Sequence, residues 1–105
     1  MLPRPTGILA GNDLIALGVI QAIRELGLRC PEDVSVMGFD DLDFAELISP
    51  SLSSVAQSGY QLGATAVRIL LDRLADDNGP PKHLVLETQL KIRESVAAPP
   101  ATGRR

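Results

Sequence analysis

Cysteine, histidine and aromatic side chains are scarce in these 105 residues: Cys30 is the one cysteine, His83 the one histidine, and aromatics make up 3%. A single thiol forms no intrachain disulfide, and without paired Cys and His ligands no zinc site supports the fold, so a reducing cytoplasm is the simplest compartment. Cations are not plentiful either. Ten Lys and Arg against 13 Asp and Glu leave a formal net charge of -3, and the cations are scattered, so this chain offers no DNA-reading surface of its own. No stretch approaches the roughly 18 apolar residues of a membrane span. Met1-Leu2-Pro3-Arg4-Pro5 also lacks the apolar run of a signal peptide, so a soluble chain with no membrane partner is expected.

Catalytic machinery is missing as well. The glycines at 7, 11 and 18 do not have the spacing of a phosphate-binding loop. Cys30 sits beside Pro31 with no histidine near it and reads as an inert thiol. His83, between Lys82 and an apolar run, reads as an exposed edge residue, because nothing adjacent would orient its ring as a general base. Asp76-Asp77 reads as a solvated helix end. Asp40-Asp41-Leu42-Asp43 lacks the glycine and the distal glutamate of a calcium loop. No catalytic residue, metal or cofactor is therefore expected, and a small hydrolase is a distant reading.

What is present is apolar content: 45% of residues are hydrophobic, enough to offset ordering entropy in one small domain or part of a larger one. Ile8-Leu9-Ala10 reads as a buried strand ended by Gly11-Asn12. A helix over 13–26 follows, with Asn12 as its cap, Asp13 at the positive end of its dipole and Gly27 as its stop. Its apolar residues, Leu14, Ile15, Leu17, Val19, Ile20, Ile23 and Leu26, leave only a narrow polar stripe of Gln21, Arg24 and Glu25, so a second apolar face needs a partner. Val34-Ser35-Val36-Met37-Gly38-Phe39 is the next strand, parallel to the first by the usual βαβ crossover. An irregular stretch over 40–53, any helix in it kept short by Pro50, leads to a brief strand, Ser53-Ser54-Val55-Ala56-Gln57. A second helix spans 59–75, with Ser58 and Gln61 spaced as a capping box. His83-Leu84-Val85-Leu86-Glu87 and Leu90-Lys91-Ile92-Arg93 are further strand candidates, and the tail from Ala97 is too rich in proline and small residues to expect order.

In open α/β sheets, ligands sit beyond the carboxyl ends of the strands. Asn12 ends one strand here and Asp40 the next. An amide beside an ionised carboxylate suits a hydroxyl-rich or amine-bearing small molecule; equally, Asn12 can be only a cap and Asp40 only a turn former.

Four ordered blocks add to this reading: Ile8 to Gly18 with Asn12-Asp13, Gly27 to Asp41 with Cys30-Pro31-Glu32-Asp33-Val34 and Gly38-Phe39-Asp40-Asp41, Ser49 to Gln57, and Leu90 to Ser95. Together they resemble the lactose-repressor/galactose-repressor (LacI/GalR) family of transcriptional regulators, and the Arg93-Glu94-Ser95 ending resembles those repressors more than the related periplasmic sugar-binding proteins. The resemblance implies an α/β, three-layer, parallel-sheet sensor domain of periplasmic-binding-protein-like type, here partial. It implies an extension over 1–5, one lobe from 6–56 and 90–95, a contribution over 57–89 to the other lobe, and a disordered tail over 97–105. Asn12 and Asp40 would line an effector cleft, with Gln57, Ser58 and Tyr60 in the segment that crosses between lobes. Leu14, Leu17 and Gln21 on the first helix, with Phe44, Leu47 and Ile48, would form a homodimer surface. DNA would be bound only by a helix-turn-helix that this chain lacks, and a cleft with one wall missing would hold its effector weakly or not at all. A transport-receptor component or a stand-alone dimerising module are the alternatives.

Overall fold

A computed structural model describes residues 4–76 and 79–101. Parts of the expected extension (1–3) and tail (102–105), and Asp77 of the expected helix-ending acidic pair, lie outside the described residues. By its internal contacts the chain forms two compact units, Met1–Ala56 with Gln89–Arg105, and Gln57–Thr88.

The first unit holds a four-stranded sheet in the order β1 (Gly7–Leu9), β2 (Ser35–Asp40), β3 (Ser53–Ala56), β4 (Gln89–Lys91). β1, β2 and β3 run parallel, with Ile8 opposite Val36 and Asp40 opposite Ala56, so their carboxyl ends share one edge. β4 pairs antiparallel to β3, which makes the sheet mixed where an all-parallel one was expected. An antiparallel strand at the margin of a parallel sheet is common in doubly wound folds.

Helix α1 (Asp13–Glu25) crosses from β1 to β2. Asn12 opens it in an extended conformation and accepts the Ile15 amide at 2.8 Å. At the other end Gly27 turns left-handed (φ 77), while its amide reaches the Arg24 carbonyl and the Leu28 amide reaches that of Ile23, a Schellman closure that needs the glycine. Asp13, Ala16, Ile20 and Ile23 recur on one face and are buried; Ala10, Val34, Val36, Ala45 and Leu52 complete the core. A short 3-10 turn, Asp43–Glu46, is the only helical structure described between β2 and β3.

The Arg93-Glu94-Ser95 segment locks the sheet. The buried Ser95 hydroxyl donates to the Val36 carbonyl at 2.6 Å and accepts the Ser53 amide at 2.8 Å. Its backbone bonds Val36 and Ser51. Glu94 accepts the Ser51 amide, and Arg93 reaches the Leu52 carbonyl at 2.7 Å. Order continues past the expected start of the tail, since the Ser35 hydroxyl and the backbone of Ala97 exchange hydrogen bonds.

The second unit carries α2 (Gly59–Ala75), whose cap is the Ser58 hydroxyl accepting the Gln61 amide at 3.1 Å. No residue of α2 is buried. The strand expected at His83–Glu87 is absent: these residues form no ladder in the structure. An apolar run becomes a strand only when a second strand supplies its hydrogen-bond partners, and sequence pattern cannot guarantee one.

Candidate functional site

The carboxyl edge of the parallel strands gathers the expected ligand groups. The Ala10 amide, just past β1, still donates to the Met37 carbonyl, which carries the pairing up to the turn holding Asn12. Capping α1 engages the Asn12 Oδ1 and leaves its Nδ2 amide as a donor that the residue can present. The two readings of Asn12 are therefore compatible.

Asp40 closes β2 with φ 108, and Asp41 follows at φ 55. The second value lies in the left-handed region that aspartate tolerates; the first is an outlier for any residue with a Cβ, and strain of this kind costs about 1–3 kcal/mol. Neighbouring groups hold the strain. The Asp41 amide donates to the Ser54 hydroxyl at 2.9 Å, and its carboxylate pairs with Arg93 at 2.8 Å. The Leu42 amide donates to the Asp13 carboxylate at 2.7 Å. Ordinary turn formation asks for none of these bonds.

Gln57 and Tyr60 belong to the second unit. Gln57 is half-buried and directly follows β3 in the chain. Tyr60 is exposed in the first turn of α2, where with Gly63, Val67 and Leu71 it borders a shallow apolar groove.

The residues expected at a dimer surface divide into two groups. Leu14 (63% exposed), Leu17 and Gln21 lie outward on α1, and Leu47 is 79% exposed beyond the 3-10 turn. Phe44 and Ile48, by contrast, turn much of their area inward against the core. An Arg24 side-chain bond to the Ser49 carbonyl ties this segment to the last turn of α1.

Asp13 lies in the first turn of α1, as expected of a dipole partner, and is in addition a fully buried carboxylate bonded to Ser54 and to the Leu42 amide of the Asp40 loop. The signal was in its position, because Asp13 falls on the same helix face as Ala16, Ile20 and Ile23. The partners of Arg93 left no comparable trace.

Cys30 is half-buried, and burial pushes its thiol pKa up. No cluster of three or more metal-ligating side chains occurs among the described residues, and no helix among them is long and apolar enough to cross a membrane.

Comparison with known proteins gives the same placement from a separate direction. Residues 1–96 match the model of the periplasmic binding protein-like domain. The chain is 44% identical over 93 residues to the ribose operon repressor of Haemophilus influenzae, a match that covers 89% of this chain and 28% of that protein. It is 41% identical over 97 residues to the transcriptional repressor PurR of Yersinia enterocolitica, covering 92% and 28%. Among solved structures, a LacI family regulator of Enterococcus faecalis with bound ribose superposes with a TM-score of 0.80 at 39% identity, over 90% of this chain and 36% of that one. The chain thus spans under a third of the length of these curated relatives, which are transcriptional repressors by name. It belongs to the periplasmic-binding-protein-like domain family, in the form found in LacI-type transcriptional regulators.

Proposed function

We propose that this chain is the effector-sensing part of a cytoplasmic LacI/GalR-type regulator, in which Asn12 and Asp40 hydrogen-bond a sugar-like or nucleoside-like effector. The observation that carries the reading is the pairing, at one sheet edge, of an amide donor with a carboxylate on a strained, braced backbone. A carboxylate acceptor and an amide donor at one sheet edge match a polyhydroxylated ring, whose hydroxyls both give and take hydrogen bonds. In this reading 6–56 and 90–95 form one lobe, 57–89 belongs to the other, and Gln57 and Tyr60 are further effector contacts. The two compact units, which divide at Ala56 and Gln89, support that partition.

The regulator acts as a homodimer through Leu14, Leu17, Gln21 and Leu47, with Phe44 and Ile48 contributing their outer edges. The exposed leucines of α1 support this, because an apolar stripe on the solvent side of a helix already packed on a sheet needs a cover. DNA contact falls to a helix-turn-helix outside this chain, and effector binding shifts the lobes and, through the dimer, the headpieces.

Grafting residues 6–96 in place of the equivalent segment of the Enterococcus faecalis regulator allows titration with D-ribose by calorimetry. Asn12→Asp keeps the helix cap and removes the donor; Asp40→Asn removes the charge. Each should weaken binding about tenfold or more, the scale of a lost hydrogen bond to a charged group. Wild-type affinity in the Asp40→Asn graft would remove Asp40 from the site. For the dimer, Leu17→Lys with Leu47→Lys should give a monomer by light scattering at a concentration where the parent graft is dimeric.

A further inference from the structure

The loop that carries Asp40 is held from behind by groups to which the effector reading assigns no role. Asp13 is fully buried, and both of its oxygens are committed: Oδ1 accepts the Ser54 hydroxyl at 2.7 Å, and Oδ2 accepts the Leu42 amide at 2.7 Å. Ser54, also fully buried, accepts the Asp41 amide in turn. β2 leaves room for the carboxylate, because a Cβ at Gly38 would collide with Asp13 Oδ1 and lie 3.2 Å from Asp13 Cα. Burying a carboxylate is costly unless its bonds compensate, and these bonds end on the two consecutive amides that follow the strained Asp40. Asp13 is also the next residue after Asn12. One carboxylate therefore sets the two ligand candidates relative to each other.

We propose that Asp13 and Ser54 are positioning residues of the effector site. They hold Asp40 in its strained, positive-φ conformation before any ligand arrives, so that binding does not have to order the loop. The consequence for binding rests on the effector reading above; the clasp itself can be tested without a ligand.

The test is amide hydrogen exchange on the 105-residue chain and on its Ser54→Ala variant. Asp41 and Leu42 should exchange about tenfold faster or more in the variant, while Ile20 and Ile23 stay within about twofold of wild type. A residue that serves only overall stability would speed all four amides alike. That result, or unchanged exchange at Asp41 and Leu42, overturns the proposal. Should Ser54→Ala not fold, Asp13→Asn, which keeps the shape but offers one acceptor oxygen instead of two, is judged by the same criterion. Failure of both variants to fold would assign the pair to general stability and overturn it too. Selective loop exchange together with a D-ribose titration insensitive to Asp40→Asn would leave the clasp standing and remove the effector reading. The opposite pair of results would remove only the clasp.

Discussion

Helices α1 and α2 begin in the same way and end up in different circumstances. Each is opened by a side-chain oxygen accepting the amide three residues on, from Asn12 to Ile15 and from Ser58 to Gln61. Both sequences recur at helical intervals. Yet α1 buries Asp13, Ala16, Ile20 and Ile23, and α2 buries nothing, with Leu62, Val67, Leu70, Leu71 and Leu74 all exposed. Local signals write a helix, but its contribution to stability depends on what packs against its apolar stripe. The first unit supplies α1 with a sheet. Among its described residues the second unit contains one helix and no strand, too little to close a core.

The largest effect that tests this contrast comes from paired truncations. Ile20→Ala should cost about 2–5 kcal/mol of first-unit stability by chemical denaturation, the range for a buried aliphatic cut to alanine. Leu70→Ala, at a residue 56% exposed, should stay within about 0.5 kcal/mol. Equal costs would mean that the α2 stripe is covered in solution and would break the comparison. Gly38→Ala comes next, at about 1–3 kcal/mol, because the new methyl group must push Asp13 off β2 and overpacking of this kind has that cost.

The caps sharpen the contrast further. Asn12→Ala should lower first-unit stability by about 1 kcal/mol. Ser58→Ala removes an equivalent bond, yet it should reduce only the helical signal of α2 in circular dichroism and leave the first-unit midpoint where it was. A shifted midpoint for Ser58→Ala would show that the two helices unfold together.

These caps also mark how far the sequence is legible. Residue types that act within a few positions were readable: Asn12, Gly27 and Ser58 set helix ends that the structure places within a residue of those expected. The parallel strands followed from apolar runs and from the connection between them. What the local sequence does not mark acts across the chain. Asp13 meets Leu42 and Ser54, 29 and 41 residues away, and Ser95 meets Val36 59 residues back. The run His83–Glu87 has a strand's composition and lacks the partner that would make it one. The candidate site is divided in the same way. Asn12 and Asp40 were readable as strand-end residues, whereas the strain at Asp40 and the groups that brace it depend on tertiary contacts.

The smallest expected effect is set by pH and falls on the turn that feeds β2. Asp33 accepts the Arg29 backbone amide at 2.8 Å and the Arg29 guanidinium at 3.1 and 3.2 Å, and those bonds hold its carboxyl pKa below the ordinary value. The folded state therefore binds this proton less readily than the unfolded state. The stabilisation is fully present above the unfolded value of about 3.9 and is lost as pH falls through the lower folded value. Asp33→Asn should flatten the acid limb of the first unit's stability curve below about pH 4 while changing little at neutral pH, where an ion pair with an exposed arginine contributes weakly. Added salt should shrink the difference between wild type and variant. Because the turn joins α1 to β2, the acid-induced loss should appear in exchange at β2 amides such as Met37 and leave the α2 amides unaltered. Equal acid sensitivity in both helices would place the responsible carboxylate elsewhere in the chain.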